Sequence, residues 1–112
     1  MTSSAPADHS LDAVFHALAD PTRRALVKRL AEGPAMVTEL AEPFEMTLAA
    51  VSKHLRVLES ANLVQREVNG RIHRCTLIGG PMREADRWLQ DYSAFWAGTL
   101  DRFSDYVKKE QP

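Results

Sequence analysis

Wound at about 100° per residue, the stretch from Thr47 to Ser60 carries Ala49, Lys53, Arg56 and Ser60 on one side, with Ser52 on its shoulder. Val51, Leu55 and Leu58 fall on the other side. The chemistry of the outward side is recognition by charge and hydrogen bonding, with no bond made or broken. Two cations suit phosphate, two serine hydroxyls can donate or accept, and the side chains are small at the N-terminal end. A face of that shape fits a major groove about 12 Å wide. Thr47 supplies the hydroxyl that an N-cap needs to start the helix. Reacting constellations are missing: the chain offers no Ser/His/Asp set, no paired carboxylates and no phosphate-cradling glycine loop, so an enzyme is not expected. His9, His16 and His73 are too scattered to suggest a metal cluster. For His54, a bond to neighbouring backbone and a phosphate contact both remain open. Cys75 reads as a small half-buried hydrophobe in preference to a redox switch.

The whole chain sets bounds on that reading. Its 112 residues, 45% of them hydrophobic, suffice for one domain with a modest core. A formal net charge of -1 gives no bulk attraction to polyanions, so nucleic-acid binding must rest on local clusters of Lys and Arg. One cysteine excludes an internal disulfide framework and suits a reducing cytoplasm. Apolar runs are too short to span a bilayer, and the polar start lacks the n-region and h-region of a signal peptide. A cytoplasmic protein with no membrane partner and a disordered tail over residues 1–9 is expected, followed by a single domain over residues 10–110.

Several elements must hold the Thr47–Ser60 helix in place. Leu11, Val14, Phe15 and Leu18 recur at helical spacing, with Ser10 available as a cap. Asp20-Pro21 then gives an N-cap and a proline at the first helical position, and Leu26, Val27 and Leu30 form the buried side up to Gly33-Pro34. Arg23, Arg24, Lys28 and Arg29 on that helix are either a solvated face or phosphate contacts. Thr38–Ala41 has room for a compact helix closed by Pro43, with Phe44 and Met46 as apolar plugs in the turn. A short helix, a tight turn and a capped second helix form a helix-turn-helix. Strand-like runs Leu63–Val68 and Arg71–Leu77 are joined by Asn69-Gly70, a type I′ turn signal. That turn would pair Val68 with Arg71, Arg66 with His73 and Val64 with Cys75. A hairpin over residues 63–77 makes the fold a winged helix, and Arg71 near its tip serves either as a DNA contact or as the polar end of a soluble hairpin.

The last segment, about residues 81–108, reads as one long helix, roughly 40 Å at 1.5 Å per residue. It holds Trp88, Tyr92, Phe95, Trp96 and Phe103 among six of the chain's eight aromatic residues. This is more apolar surface than one small domain covers alone. An isologous interface with Leu11, Val14 and Phe15 of the first helix would bury it. The expected class is therefore mainly α with a β-hairpin wing, a winged helix-turn-helix dimeric through its terminal helices.

The runs Ala17-Leu18-Ala19-Asp20-Pro21-Thr22-Arg23-Arg24, Thr38-Glu39-Leu40-Ala41, Val51-Ser52-Lys53-His54-Leu55-Arg56-Val57-Leu58-Glu59 and Ala61-Asn62-Leu63-Val64 together resemble the ArsR/SmtB family of bacterial repressors. The resemblance extends from about residue 11 to residue 77. It implies a homodimer that binds an imperfect inverted repeat in promoter DNA, often its own, with Leu48, Ala49, Ser52 and Lys53 facing the groove. Many members sense metals. At the two cysteine positions of one family site this chain has Met36 and Thr38, and the Asp/His/His/Glu site fails because residues 81–112 contain no histidine. Soft and borderline cations want thiolate or imidazole ligands, so no metal and no cofactor is expected, and Glu39 is assigned to its helix dipole. The aromatic last helix resembles the metal-independent, often autoregulatory branch. Two other readings stay open: a repressor whose aromatic helix binds a hydrophobic small-molecule effector, and a winged helix serving only protein interaction.

Overall fold

The computed structural model describes residues 6–95, 97, 98 and 102. Helix α1 (Pro6–Leu18) starts four residues before the expected Ser10. Proline at a helix start has no N–H to leave unpaired there, so residues 6–9 extend the helix instead of belonging to a disordered tail; residues 1–5 lie outside the described residues. Helix α2 (Pro21–Leu30) is capped as the sequence implies, Asp20 Oδ2 accepting from the Arg23 backbone N–H at 3.0 Å. Leu26 and Leu30 face the core and Val27 is only partly covered.

Strand β1 (Ala35–Met36), helix α3 (Val37–Ala41) and helix α4 (Leu48–Ser60) follow. Glu39 Oε1 accepts from the Met36 N–H at 2.8 Å, which ties the start of α3 to β1. Thr47 Oγ1 accepts from the Ala50 N–H at 3.1 Å, the expected cap of α4. Val51, Leu55 and Leu58 of α4 are fully buried and form the centre of the core with Leu26, Leu40 and Leu63. At the far end, Asn62 takes a positive φ of 60°. Its N–H bonds Glu59 O at 2.9 Å while that of Leu63 bonds Leu58 O at 2.9 Å. This pair of bonds is a Schellman cap, with asparagine in the left-handed position and Leu63 buried beside Leu58. The cap turns the chain directly into the hairpin.

Strands β2 (Val64–Asn69) and β3 (Ile72–Leu77) pair antiparallel, and β3 also pairs with β1, giving a three-stranded sheet of order β1-β3-β2. The register differs from the expected one. Asn69 opposes Ile72, Val68 opposes His73, Arg66 opposes Cys75 and Val64 opposes Leu77. Gly70 has a φ of 60° and neither Asn69 nor Arg71 a positive one, so the loop is Gly70-Arg71 with the sign pattern of a type II′ turn. The shift of two residues leaves every side chain on its expected face, because side-chain direction has period two. Cys75 is accordingly buried.

Helix α5 (Gly79–Gln90) starts before Pro81 and stops well short of residue 108. Tyr92 N bonds Leu89 O at 3.1 Å, a tightened last turn at Asp91-Tyr92, and the chain is helical again at residues 93–95. The single long helix is therefore interrupted. Trp96 and Phe103 fall outside the described residues. α5 packs on α1; Ala85 of α5 is buried, and Val14 of α1, 1% exposed, belongs to the core.

Candidate nucleic-acid interface

The N-terminal half of α4, the inner side of the wing and the β1–α3 corner enclose an open groove of about 680 Å³. Helix α4 contributes Leu48, Ala49, Ser52, Lys53 and Arg56; the wing contributes Arg66, Arg71, Ile72 and His73; the corner contributes Met36, Val37 and Thr38. Six residues singled out from the sequence, namely Leu48, Ala49, Ser52, Lys53, Arg56 and Arg71, thus line one concavity. Leu48, which the helical wheel puts on a flank, is 52% exposed and joins them. Thr47 does not line the groove; its hydroxyl is engaged as the cap of α4. Lys53, Arg56, Arg66 and Arg71 are the charged residues of the lining, and no carboxylate lines it. A chain with a net charge of -1 therefore presents a local cationic groove.

Arg66 is the contributor that sequence reasoning missed. Its Nε donates to Glu59 Oε1 at 2.8 Å, and Nη2 lies 2.7 Å from the same oxygen. Nη1 donates to Ser52 Oγ at 3.1 Å and sits 3.4 Å from His73 Nδ1, while Nη2 reaches Ser52 O at 3.4 Å. The guanidinium thus ties β2 to two points of α4 and to β3. In the expected register Arg66 and His73 were direct partners; in the observed one they meet diagonally, and only three-dimensional placement brings Ser52 and Glu59 to them. Met36 and Val37 gave no signal of this placement, since a two-residue strand and the first residue of a five-residue helix show no periodicity, and Thr38 was read only as the start of that helix.

The three arginines of α2 do other work. Arg23 donates from Nε to Ala17 O at 2.6 Å and from Nη2 to His16 O at 3.1 Å, and Arg24 Nη1 donates to Leu18 O at 2.9 Å. They satisfy the terminal carbonyls of α1 and complement the negative end of its dipole. Arg29 Nη1 likewise donates to Gly33 O at 3.2 Å. His54 points toward this junction, with Nδ1 3.4 Å from Arg23 Nη1 and 3.9 Å from Asp20 Oδ2. The Arg23 backbone N–H, opposed by desolvation and reinforced by His54 and the Arg23 guanidinium, holds the Asp20 carboxyl below its ordinary value. Burial pushes the Cys75 thiol up against the pull of Arg66; a neutral buried thiol is a poor nucleophile.

Away from the residues that line the groove, α1 and the end of α5 share an aromatic face. Phe15 meets Trp88 edge-on with ring centroids 5.8 Å apart, and Trp88 lies 4.9 Å from Tyr92. Phe15, Trp88, Tyr92 and Phe95 are 37%, 43%, 46% and 60% exposed, whereas Leu11 packs partly against the core. Among the described residues, no three His, Cys, Asp or Glu side chains stand together as a metal site, and no helix is long and apolar enough to cross a membrane.

Residues 18–67 match the model of a helix-turn-helix domain family. The chain is 37% identical over 103 residues to the HTH-type transcriptional regulator Rv2034 of Mycobacterium tuberculosis, covering 90% of this chain and 92% of that protein. It is 27% identical to the transcriptional repressor SdpR of Bacillus subtilis over 70% of this chain and 88% of the repressor. Among solved structures, that of an ArsR family transcriptional regulator superposes with a TM-score of 0.73 at 40% identity, covering 79% of this chain and 97% of that one.

Proposed function

Because this chain belongs to the ArsR family of helix-turn-helix transcriptional regulators, we propose that it is a homodimeric repressor that binds an inverted-repeat operator, its own promoter included, without a metal. The observation that carries this reading is the groove in which α4 and the wing bring Lys53, Arg56 and Arg71 together with no carboxylate among them. Lys53, Arg56 and Arg71 position the protein on phosphate. The Leu48, Ala49 and Ser52 end of α4 meets base edges, with Ala49 against a thymine methyl. One such helix reads few base pairs; two helices related by a two-fold axis read half-sites about 34 Å apart. The aromatic face of Phe15, Trp88 and Tyr92 supports the dimer, since large exposed rings in one patch mark an interaction surface. Metal independence rests on Met36 and Thr38 in place of thiolates and on the lack of histidine after residue 80. The same aromatic face supports a second reading, a hydrophobic effector that binds there and releases DNA.

A mobility-shift titration on DNA from upstream of the protein's own gene, with chelator and with added zinc, tests the proposal. A dimer-sized complex indifferent to both is expected. Release by zinc overturns metal independence, and failure to bind under any of these conditions overturns the DNA-binding reading and autoregulation with it.

A further inference from the structure

From Glu67 to Ile72 every residue of the wing is exposed, so the distal hairpin projects from the body as an arm carrying Arg71. The last side chain that fastens this arm before it leaves the core is Arg66, 11% exposed at its side chain. Its two attachment points on α4, Ser52 and Glu59, are seven residues apart, two turns along one side of the helix and about 10 Å in rise. A guanidinium is a planar fork of five N–H donors with a fixed geometry. Held at Glu59 by Nε and Nη2 and at Ser52 and His73 by Nη1, it admits one orientation of β2 against α4. Although Arg66 lines the groove, its donors are turned inward to protein acceptors, which leaves the phosphate contacts to Lys53, Arg56 and Arg71.

We propose that Arg66 is a positioning residue for DNA recognition: clamped to Glu59 and Ser52, it sets the angle of the wing to α4 so that Arg71 and the α4 residues engage one duplex in a single register. The proposal rests on the DNA-binding reading above. Arg71 then contributes to binding only while the clamp is closed, and Glu59, which does not line the groove, acts on DNA affinity through Arg66 alone.

A double-mutant cycle tests this. Wild type, Arg71→Ala, Glu59→Gln and the double variant are titrated by fluorescence anisotropy onto a duplex of the DNA upstream of the protein's own gene, at several salt concentrations. Glutamine keeps an acceptor at the same reach and removes the charge. In the wild-type background Arg71→Ala is expected to weaken binding about fivefold and to lower the salt slope by about 1. In the Glu59→Gln background the same change is expected to weaken binding less than about twofold and to leave the slope unaltered. A merely structural role for Arg66 would lower stability and leave the effect of Arg71 intact. Equal effects of Arg71→Ala in both backgrounds overturn the proposal while preserving the DNA-binding reading, and so does no effect in either. Wild-type protein that fails to bind the duplex overturns both. Circular dichroism checks each variant; where Glu59→Gln does not fold, Glu59→Asp, which keeps the charge but withdraws it by one methylene, takes its place in the cycle with the same expected outcomes.

Discussion

Lys53 and Asp20 show how one charge acts differently at two places in the same fold. Lys53 lines the groove on α4 with no protein carboxylate among the lining residues, so its ammonium is available to a phosphate. Lys53→Ala is expected to weaken binding to every DNA sequence alike and to reduce the slope of log affinity against log salt by about 1. Anisotropy titrations on operator and unrelated duplexes check this, and an unchanged slope removes Lys53 from phosphate. Asp20 is a structural carboxylate. The Arg23 N–H holds it below its ordinary value, so its contribution to stability is present above the unfolded value, about 3.9, and is lost as pH falls through the lower folded value. Asp20→Asn is expected to flatten the acid limb of a plot of denaturant midpoint against pH. A limb of undiminished steepness would assign acid unfolding to other groups. Both residues were readable as types from the sequence: a cap before proline, and a cation opposite an apolar stripe. The destinations of Arg23, Arg24 and Arg66 were not, because a carbonyl of the preceding helix and a hydroxyl across a hairpin are set by tertiary placement.

Among the elements, α4 depends on its two ends. Removing the Thr47 hydroxyl leaves one of the first N–H groups without its acceptor, and Thr47→Ala is expected to cost about 1 kcal/mol of unfolding free energy. Urea denaturation measures it; a change below a few tenths would mean that water replaces the cap. Helices α2, α3 and α4 follow from punctuation and periodicity: Asp20-Pro21, Pro43, Thr47 and the Val51/Leu55/Leu58 spacing each have a local physical cause. The hairpin was legible in existence and in facing but not in register, since Asn69-Gly70 and Gly70-Arg71 are both plausible reversals and moving the turn by one residue shifts the pairing by two. Strand β1 was invisible because Ala35 and Met36 owe their extended pairing to β3. The pause at Asp91-Tyr92 was masked by an aromatic spacing that continues across it.

For the whole molecule, the groove and the aromatic face are made of different residues, so the recognition and the assembly proposed for them can be separated by mutation. Trp88 stands at the centre of that face, in contact with Phe15 and Tyr92. In the proposed dimer, Trp88→Glu is expected to shift sedimentation from dimer to monomer and to lower operator affinity by at least about tenfold, with the circular dichroism spectrum preserved. A variant that stays dimeric would move assembly elsewhere and favour the effector reading of the same face. The sheet has a different consequence. Its middle strand, β3, joins β1 ahead of the helix-turn-helix to β2 behind it, so Cys75 is shared between Ala35 on one side and Arg66 on the other. Reader and scaffold are woven into one fabric. On the proposed function, a chimera meant to transfer operator choice to another regulator must therefore exchange residues 35–77 as a single cassette; a splice at the end of α4 would part β1 from its partner strand β3 and cut the seam that holds this unit in one piece.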